Sequence, residues 1–489
     1  MDIRESEALG RAAHAVHALA PGDLVLAAPG ERALLSWERR SKDAVKYRRV
    51  ARGVTKDESY ISAILAFVAA QQDVQEDVLN EEVFFRPTAD GADEGGRALA
   101  SLASMAKQAV AYPDLAAAGE ERLAAFLAVV VANGHAVSAD RLALFRRASK
   151  VAHSCAPNLL LVPGEAEDGT PCVNYRALRP IAEGELLTYS YLGDFDLCWP
   201  TALRRMRLRE TKFFHCCCQR CAAEYDALRC VPCAVETCPG TMFYSEQAEA
   251  GETADGIARP WRCTRCETSV STSLVDLSTR GNEGALSTRI NQLASRAGVL
   301  EDDVRDILET AVTCLHEGHW VVGACHRLIL SCLERARVQE GASTPGAAAV
   351  RHALWAAQTM RWHERFARDF YPVVALRMAF EAILALRATG QFKLAEDMVR
   401  TRVEPMRVAW GPDDADVAEM EAFSREFSCH GCHERSTVMN LCGGCLSARY
   451  HSRECQKAHW KQHKGDCASA KALKDAEYVG PTAEWLEQV

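Results

Sequence analysis

The chain has 489 residues, of which 48% are hydrophobic and 25% are charged, a balance typical of globular proteins and not of disordered or fibrous ones. Its formal net charge of −9 argues against general nucleic-acid binding, although a local basic patch is compatible with it. The longest apolar run, residues 123–132, is too short to span a bilayer, and the charged N-terminus lacks the apolar segment of a signal peptide. We therefore expect a soluble intracellular protein of several domains, cytoplasmic or nuclear.

The first 39 residues read as short strands, with a turn at residues 21–23 between apolar runs. Residues 40–132 read as helices because apolar side chains recur with the helical period. Two such sets are Ile61, Ile64, Leu65 and Val68, and Leu123, Phe126, Leu127 and Val130.

Strand patterns return in residues 133–222. The sequence E-G-E-L-L-T-Y-S-Y at residues 183–191 alternates, so its last six residues are predicted to form a strand with Leu187, Tyr189 and Tyr191 on one face. This region also contains H-S-C-A-P-N at residues 153–158 and F-H-C-C-C-Q-R-C at residues 214–221.

The 21 cysteines are unevenly distributed, with nine between Cys216 and Cys266 and six between Cys429 and Cys467. In a reducing compartment, clustered thiols indicate zinc and not disulfides. Residues 223–285 contain a C-x4-C…C-x2-C pattern similar to a zinc ribbon, and Cys230 competes with one of its members. The candidate ligands are Cys233, Cys238, Cys263 and Cys266.

Residues 286–420 read as helical. Residues 373–386 and 392–410 are predicted to form paired helices around a turn at Gly390, which suggests tetratricopeptide-like hairpins. Because no strict repeat period is present, a plain helical bundle is the alternative.

The segment 429–467 contains four pairs of metal-binding side chains, enough for two tetrahedral zinc ions. Such a short segment has little core, so the metal must stabilise its fold. The remaining residues, 468–489, are predicted to be a tail. The candidate ligands are Cys429, Cys432, Cys442, Cys445, His451, Cys455, His463 and Cys467.

This pattern closely resembles the MYND finger, in which the pairs interleave. The resemblance implies that Cys429, Cys432, His451 and Cys455 bind one ion and that the other four ligands bind the second. It also implies docking of proline-rich peptides. The finger carries basic residues that could attract an acidic partner or nucleic acid, or could form an ordinary solvated face: Arg449, Arg453, Lys457, Lys461 and Lys464. His430, His433 and His459 fall off the pattern and are expected at the surface.

The three motifs between residues 153 and 221 resemble, in order and spacing, the core of the SET-domain protein lysine methyltransferases. The resemblance implies an α+β fold and transfer of a methyl group from S-adenosylmethionine to a protein lysine. Tyr191 would lie between the cofactor methyl and the amine. The cofactor would contact Gly10, Arg11, Asn133, His153 and Phe214. His153 would do so mainly through its backbone.

In the same resemblance, Cys155 of the H-S-C motif joins Cys216, Cys218 and Cys221 in a post-SET zinc site beside the active site. The expected architecture is a β-rich SET domain with a helical insertion, this zinc site and a ribbon-like insert. A helical tetratricopeptide-like domain and a C-terminal MYND finger follow, with about four zinc ions in all. Ordinary members carry the finger inside the SET domain, so the domain order here is rearranged.

Two positions depart from the family pattern. Ala152 replaces an asparagine expected at the cofactor, and Lys212 replaces a tyrosine that helps to form an aromatic wall for the target amine. A lysine that points inward there would repel both sulfonium and substrate. These departures leave open a non-catalytic adaptor that recruits protein partners. A nucleic-acid-binding regulator is a third hypothesis, against which the net charge argues, and no membrane partner is expected.

Overall fold

The computed structural model of the chain describes residues 1–6, 10–47, 50, 59–87, 94–249, 257–279, 281–296, 298–340, 347–389, 391–425, 429–432, 434, 439–445 and 448–475. The predicted turn at Gly390, His433 and most of the predicted tail lie outside these residues. The chain divides into two compact units. The first unit is Met1–Gly193 with Thr201–Ala222, and the second is Asp194–Pro200 with Ala223–Val489.

The first unit contains short strands arranged in small sheets. These strands are β1 (Asp2–Ser6), β2 (Gly10–His14), β3 (Glu31–Arg32), β4 (Leu35–Glu38), β5 (His135–Ala136), β6 (Arg141–Leu144), β7 (Ala152–His153), β8 (Leu159–Glu165), β9 (Pro171–Ala177) and β10 (Thr188–Tyr189). The sheets β1–β2, β3–β9–β8 and β4–β6–β5 are antiparallel, whereas β7 and β10 pair in parallel. Apolar side chains from several of these strands form one core, which includes Ala13, Phe145, Tyr175 and Leu187.

The helices of the first unit are α1 (Ser59–Ala69), α2 (Gln72–Leu79), α3 (Glu94–Ala109), α4 (Pro113–Ala116), α5 (Glu120–Asn133) and α6 (Thr201–Lys212). Short 3-10 helices span Lys42–Tyr47 and Ala148–Lys150. The predicted helical insertion is confirmed, because the apolar faces of α1 and α5 meet in a second core, where the Phe67 and Phe126 rings stack with centroids 4.3 Å apart.

The chain turns sharply between α5 and β5, and this turn positions two residues near the candidate site, Asn133 and His135. A Cβ atom on Gly134 would lie 2.7 Å from the carbonyl oxygen of Val130, so a larger residue would clash with the last turn of the helix. Glycine therefore lets the helix end and the strand begin within two residues.

Two features of the first unit differ from the sequence prediction. The strand predicted over residues 186–191 is shorter, because the regular ladder is confined to β10 and Leu186 forms only an isolated bridge with His14 of β2. Helix α6 was not predicted, since its sequence is dominated by charged residues. Its buried face includes Arg204, which is fully inaccessible to solvent.

The second unit combines a four-stranded antiparallel sheet with a series of helices. Its strands are β11 (Asp226–Pro232), β12 (Thr241–Tyr244), β13 (Trp261–Cys263), β14 (Ser269–Val270), β15 (Asn440–Leu441) and β16 (Arg449–Tyr450). The first four form a meander, and the last two form a separate hairpin in the finger.

The helices of the second unit are α7 (Glu246–Glu249), α8 (Thr272–Ser278), α9 (Asn282–Ala294), α10 (Glu301–Cys314), α11 (Trp320–Glu340), α12 (Ala347–Phe366), α13 (Val373–Ala388), α14 (Phe392–Trp410), α15 (Ala415–Arg425) and α16 (Arg453–Asp475), with a 3-10 helix at Asp196–Cys198. From α9 to α15 each helix packs on the next, which confirms the predicted helical region. Among the described helices, none is both long enough and apolar enough to cross a membrane.

Several helices of the second unit do not follow the predicted domain bounds, among them α8 and α16. Helix α8 begins inside the range 223–285 because Ser271 caps it, accepting a hydrogen bond from the backbone N–H of Leu274. Helix α16 continues past residue 467 into the predicted tail.

Acid should destabilise the first unit through His135, which is buried between the Asn133 carbonyl at 2.8 Å and the Tyr175 hydroxyl at 3.3 Å. Burial, helped by the charge of Lys212, lowers the pKa of His135 from 6.5 to about 4. The pKa of His135 in the folded chain lies below its unfolded value. The stabilisation of the fold by the neutral His135 ring is therefore fully present above pH 6.5 and is lost as the pH falls towards 4. The maximum effect is roughly 3 kcal/mol.

We expect His135→Gln to flatten the fall in urea midpoint between pH 6.5 and 4. The control is His17→Gln at an exposed position, which should keep the wild-type slope. An unchanged slope in His135→Gln would contradict the assignment.

Candidate active site and metal centres

The predicted metal ligands form four clusters, each with four ligand atoms within 4.8 Å of one another. They are Cys155, Cys216, Cys218 and Cys221; Cys233, Cys238, Cys263 and Cys266; Cys429, Cys432, His451 and Cys455; and Cys442, Cys445, His463 and Cys467. Thiolates that bind zinc at ~2.3 Å in a tetrahedron lie ~3.8 Å apart, so this spacing fits zinc. The structure brings the ligands together in the predicted groups, including the interleaved pairs of the finger.

The Cys155 cluster joins the turn after β7 to the segment that follows α6. The Sγ atoms of Cys155 and Cys221 lie 3.5 Å apart, and the backbone N–H of Cys155 donates to Sγ of Cys218 at 3.4 Å. Residues more than sixty positions apart in the sequence are thereby held together. A metal ion in this cluster would fasten the segment that carries Phe214 against the H-S-C turn.

Arginine side chains surround the Cys155 cluster. The buried Arg204 lies 3.5 Å from Sγ of Cys221, Arg205 donates to the carbonyls of Cys216 and Cys221, and Arg220 donates to the carbonyl of Cys155. Zinc with four thiolates has a net charge of −2, and buried charge is stable only when it is compensated. The sequence analysis did not identify these arginines. Their closeness in sequence to the cysteines at 216–221 was the one signal that could have indicated their role.

The Cys233 cluster settles the choice left open by the sequence. Cys233 lies 3.6 Å from Cys266, and Cys238 lies 3.8 Å from Cys263, sulfur to sulfur. The thiol of Cys230 is instead buried in β11, 3.5 Å from Nδ1 of His316. Cys230 is therefore outside the metal site.

The finger differs from the sequence expectation at three residues. His430 and His459 are half-buried and not at the surface: His430 accepts from the Arg449 backbone, and His459 lies 2.9 Å from the hydroxyl of the buried Tyr450. Arg449 is also buried, because it forms an ion pair with Glu396 of α14. His433 lies outside the described residues. The exposed basic residues are Arg453, Lys457, Lys461 and Lys464.

Tyr191, His153 and Phe214 form an aromatic cluster. The ring centroids of His153 and Tyr191 lie 5.3 Å apart, and those of Tyr191 and Phe214 lie 6.2 Å apart in an edge-to-face arrangement. The Tyr191 hydroxyl donates to the carbonyl of Val151 at 2.7 Å. Burial raises the pKa of Tyr191, so the phenol remains neutral. The structure thus brings the predicted catalytic residue together with two predicted cofactor residues.

The His153 ring connects Tyr191 to the Cys155 cluster. Its Nδ1 accepts the backbone N–H of Tyr191 at 2.9 Å, and its Nε2 lies 3.3 Å from Sγ of Cys155. Burial lowers the pKa of His153 to about 4, so the ring is neutral and its proton is on Nε2, directed at the thiolate. His153 was expected to act mainly through its backbone, but its side chain bridges the metal cluster and the tyrosine.

Lys212 is the last residue of α6 and points into the site. Phe213, which follows it, has a left-handed φ of 63° and reverses the chain direction. The Lys212 ammonium donates to the carbonyls of Val131 at 3.0 Å and Ala132 at 3.3 Å, and it lies 5.6 Å from the Tyr191 ring centroid. Burial lowers its pKa to about 8.

The other predicted cofactor residues surround the segment 81–85. The buried Asn133 amide donates to the Phe85 carbonyl at 2.7 Å and accepts from its N–H at 3.3 Å. Arg11 donates to the carbonyl of Glu81, and Lys150, which sequence reasoning missed, donates to that of Val83. The Asn133 amide is therefore already paired with protein backbone.

Gly10 and Ala152 complete the set of predicted site positions. Gly10 is exposed with a φ of 61°, and among the described residues no atom lies within 4 Å of the position of a Cβ atom on it. Ala152 lies in β7, where it pairs with Thr188, and offers no polar side-chain atom in place of the expected amide. The polar groups near Tyr191 include the Val151 carbonyl, the His153 ring and the Lys212 ammonium.

Comparison with known proteins defines the domains. Residues 10–192 match the SET domain family, and residues 429–467 match the MYND finger family. The chain therefore contains a SET domain and a MYND finger. N-lysine methyltransferase SMYD2 of Gallus gallus is 33% identical over 128 residues, which are 25% of this chain and 26% of that protein. N-lysine methyltransferase SMYD2 of Homo sapiens is 30% identical over 131 residues, which are 26% of this chain and 27% of that protein.

Histone-lysine N-methyltransferase Smyd1 of Mus musculus is 44% identical over 45 residues, which are 9% of each chain. The chain spans about a quarter of the length of the SMYD2 relatives that it matches.

We predict that Cys233→Ser lowers the zinc content from four ions per chain to three. The reason is that its four-ligand site loses one thiolate. Metal analysis of the purified chain after gel filtration measures this. Cys230→Ala is the matched control and should retain four ions. Loss of zinc in the control, or full retention in Cys233→Ser, would contradict the assignment.

We predict that His153→Ala weakens the Cys155 cluster, because the thiolate loses a donor and the Tyr191 N–H loses its acceptor. The expected loss is about 1–3 kcal/mol in unfolding free energy, with faster zinc release to a colorimetric chelator from one site. His14→Ala, which removes a half-buried ring bonded to the Gly184 carbonyl, is the control. Equal release rates in both variants would refute the bridging role.

Proposed function

We propose that the chain is an S-adenosylmethionine-dependent protein-lysine N-methyltransferase that acts on lysines of histone or non-histone proteins. The observation that carries this proposal is the position of the Tyr191 hydroxyl, bonded to the Val151 carbonyl within the cluster of His153 and Phe214. The SET domain match and the similarity to N-lysine methyltransferase SMYD2 support it.

The residues around Tyr191 fit the proposed cofactor in part. The half-buried Phe214 ring offers an aromatic face, and the open space beside Gly10 leaves its backbone accessible. Gly10, Arg11, His153 and Phe214 would hold the cofactor. Asn133 would contribute its side chain only after exchanging its bonds to Phe85. The cofactor supplies a methyl group on a cationic sulfur, which a neutral lysine amine accepts, leaving the thioether S-adenosylhomocysteine.

Tyr191 would orient the amine and stabilise charge without acting as a base. Its hydroxyl proton is committed to the Val151 carbonyl, so the oxygen lone pairs remain available to accept an N–H of the substrate amine. The raised pKa of Tyr191 keeps the phenol neutral through the reaction. Positioning of this kind suits an in-line transfer, in which alignment of the reacting atoms is the main requirement.

We also propose that the finger binds proline-rich segments of partner proteins and that the chain works in the cytoplasm, the nucleus or both. The MYND match supports the partner class. Both ligand clusters of the finger have four members, and four of its basic side chains are exposed to a partner.

A non-catalytic adaptor is the second candidate, and the orientation of Lys212 favours it. A cation above the Tyr191 ring opposes a cationic cofactor and a lysine substrate, while Ala152 offers no amide to hold the cofactor. In that case the SET domain would be a scaffold for recruitment of partners. An adaptor need show no methyl transfer and no cofactor binding.

We predict that the full chain transfers labelled methyl groups from S-adenosylmethionine to histones or to proteins of a cell lysate, and that Tyr191→Phe lowers the rate by about 10²–10³-fold because a preorganised polar group is lost. Scintillation counting of precipitated protein measures the transfer. Tyr112→Phe is the control, since this ring packs against Tyr47 in the helical insertion. Equal incorporation by wild type and Tyr191→Phe would reject the catalytic assignment.

A further inference from the structure

We propose that Lys212 makes the cofactor site prefer the uncharged thioether S-adenosylhomocysteine to the cationic S-adenosylmethionine. This inference rests on the proposed function and concerns the same site. It identifies a residue that selects ligands by charge.

The first step is the fixed position of the Lys212 ammonium. It is held by two carbonyls at the C-terminal end of α5, Val131 and Ala132, where backbone acceptors are unpaired within the helix. The left-handed Phe213 prevents α6 from continuing and directs Lys212 and Phe214 towards Tyr191. The charge therefore lies on the tyrosine face of the site and is not free to move into solvent.

The second step is the absence of a neutralising partner. Among the described residues, Lys212 has no carboxylate partner, and its polar contacts are backbone carbonyls and the Tyr191 ring. His135 is neutral and Tyr191 remains protonated, so neither of these two neighbouring side chains gives Lys212 a negative charge. The pKa of Lys212 is about 8, so the ammonium form predominates at pH 7.

The third step is the chemical difference between the two ligands. They share the adenosine and amino-acid parts and differ by one methyl group and one positive charge on sulfur. Repulsion from a nearby unit charge in a partly buried site changes the affinity of a second like charge by roughly 10- to 30-fold. A fixed cation near the sulfur therefore disfavours the sulfonium and leaves the thioether almost unaffected.

A consequence for turnover follows. A chain that binds its own product more tightly than its cofactor is silenced by that product. Sustained methylation then depends on a reaction that consumes S-adenosylhomocysteine, such as its hydrolysis. The rate of methylation would then depend on the ratio of S-adenosylmethionine to S-adenosylhomocysteine as well as on the concentration of S-adenosylmethionine.

Titration calorimetry of the full zinc-loaded chain at pH 7 tests the inference. The ligands are S-adenosylmethionine, S-adenosylhomocysteine and an analogue with an ammonium group in place of the sulfonium. The variants are Lys212→Met, which keeps the length without the charge, and Lys212→Arg, which keeps the charge. Lys212→Gln replaces the Met variant if that one does not fold.

We expect wild type and Lys212→Arg to bind the thioether at least tenfold more tightly than either cationic ligand. In Lys212→Met the ratio should fall about tenfold, through tighter binding of both cations, with the thioether affinity nearly constant. An unchanged ratio in Lys212→Met and Lys212→Gln would overturn the inference and leave the proposed function intact. If no ligand binds to any of these proteins, the inference and the proposed function both fail.

Discussion

The site depends on the thiolate cluster that joins Cys155 to Cys216, Cys218 and Cys221. Two of the aromatic residues around Tyr191 lie next to this cluster in the sequence: His153 precedes Cys155 by two positions, and Phe214 precedes Cys216 by two. Cross-linking these segments through a metal ion fixes both rings relative to Tyr191. Because the ligands are so distant in sequence, the metal closes a long loop and removes much of the freedom of the unfolded chain.

Charge compensation decides much of the surrounding structure. A zinc ion with four thiolates is a buried dianion, and Arg204, Arg205 and Arg220 direct positive charge at it or at its backbone. On the other side of the aromatic cluster, Lys212 relies on helix-end carbonyls and a tyrosine face, which are weaker partners than a carboxylate. The Tyr191 site therefore has an anionic metal centre on one side and a cation on the other.

The candidate metal ligands could be found from paired Cys and His residues because zinc imposes strict ligand chemistry, whereas their grouping in the finger and around Cys155 came from the resemblance to the MYND and SET families. The same resemblance predicted that Tyr191, His153 and Phe214 share a site, and the structure places these three rings close together. The sequence could not reveal that Asn133 pairs with Phe85, since that contact joins residues far apart in the sequence. The sequence did not predict α6, because helices are recognised by the periodic spacing of apolar residues and the buried face of α6 contains the charged Arg204. The direction of Lys212 depends on the left-handed backbone of Phe213, which no residue-type preference indicates.

The ion pair between Arg449 and Glu396 has a consequence for how the finger behaves. Both side chains are largely shielded from water, so loss of Arg449 leaves the shielded Glu396 with the exposed Arg400 as its counter-charge. Unfolding of the finger by metal chelation would remove the counter-charge of α14, and damage to α14 would in turn loosen the finger. The two elements are thus thermodynamically coupled, and an isolated finger is not equivalent to the finger in the whole chain.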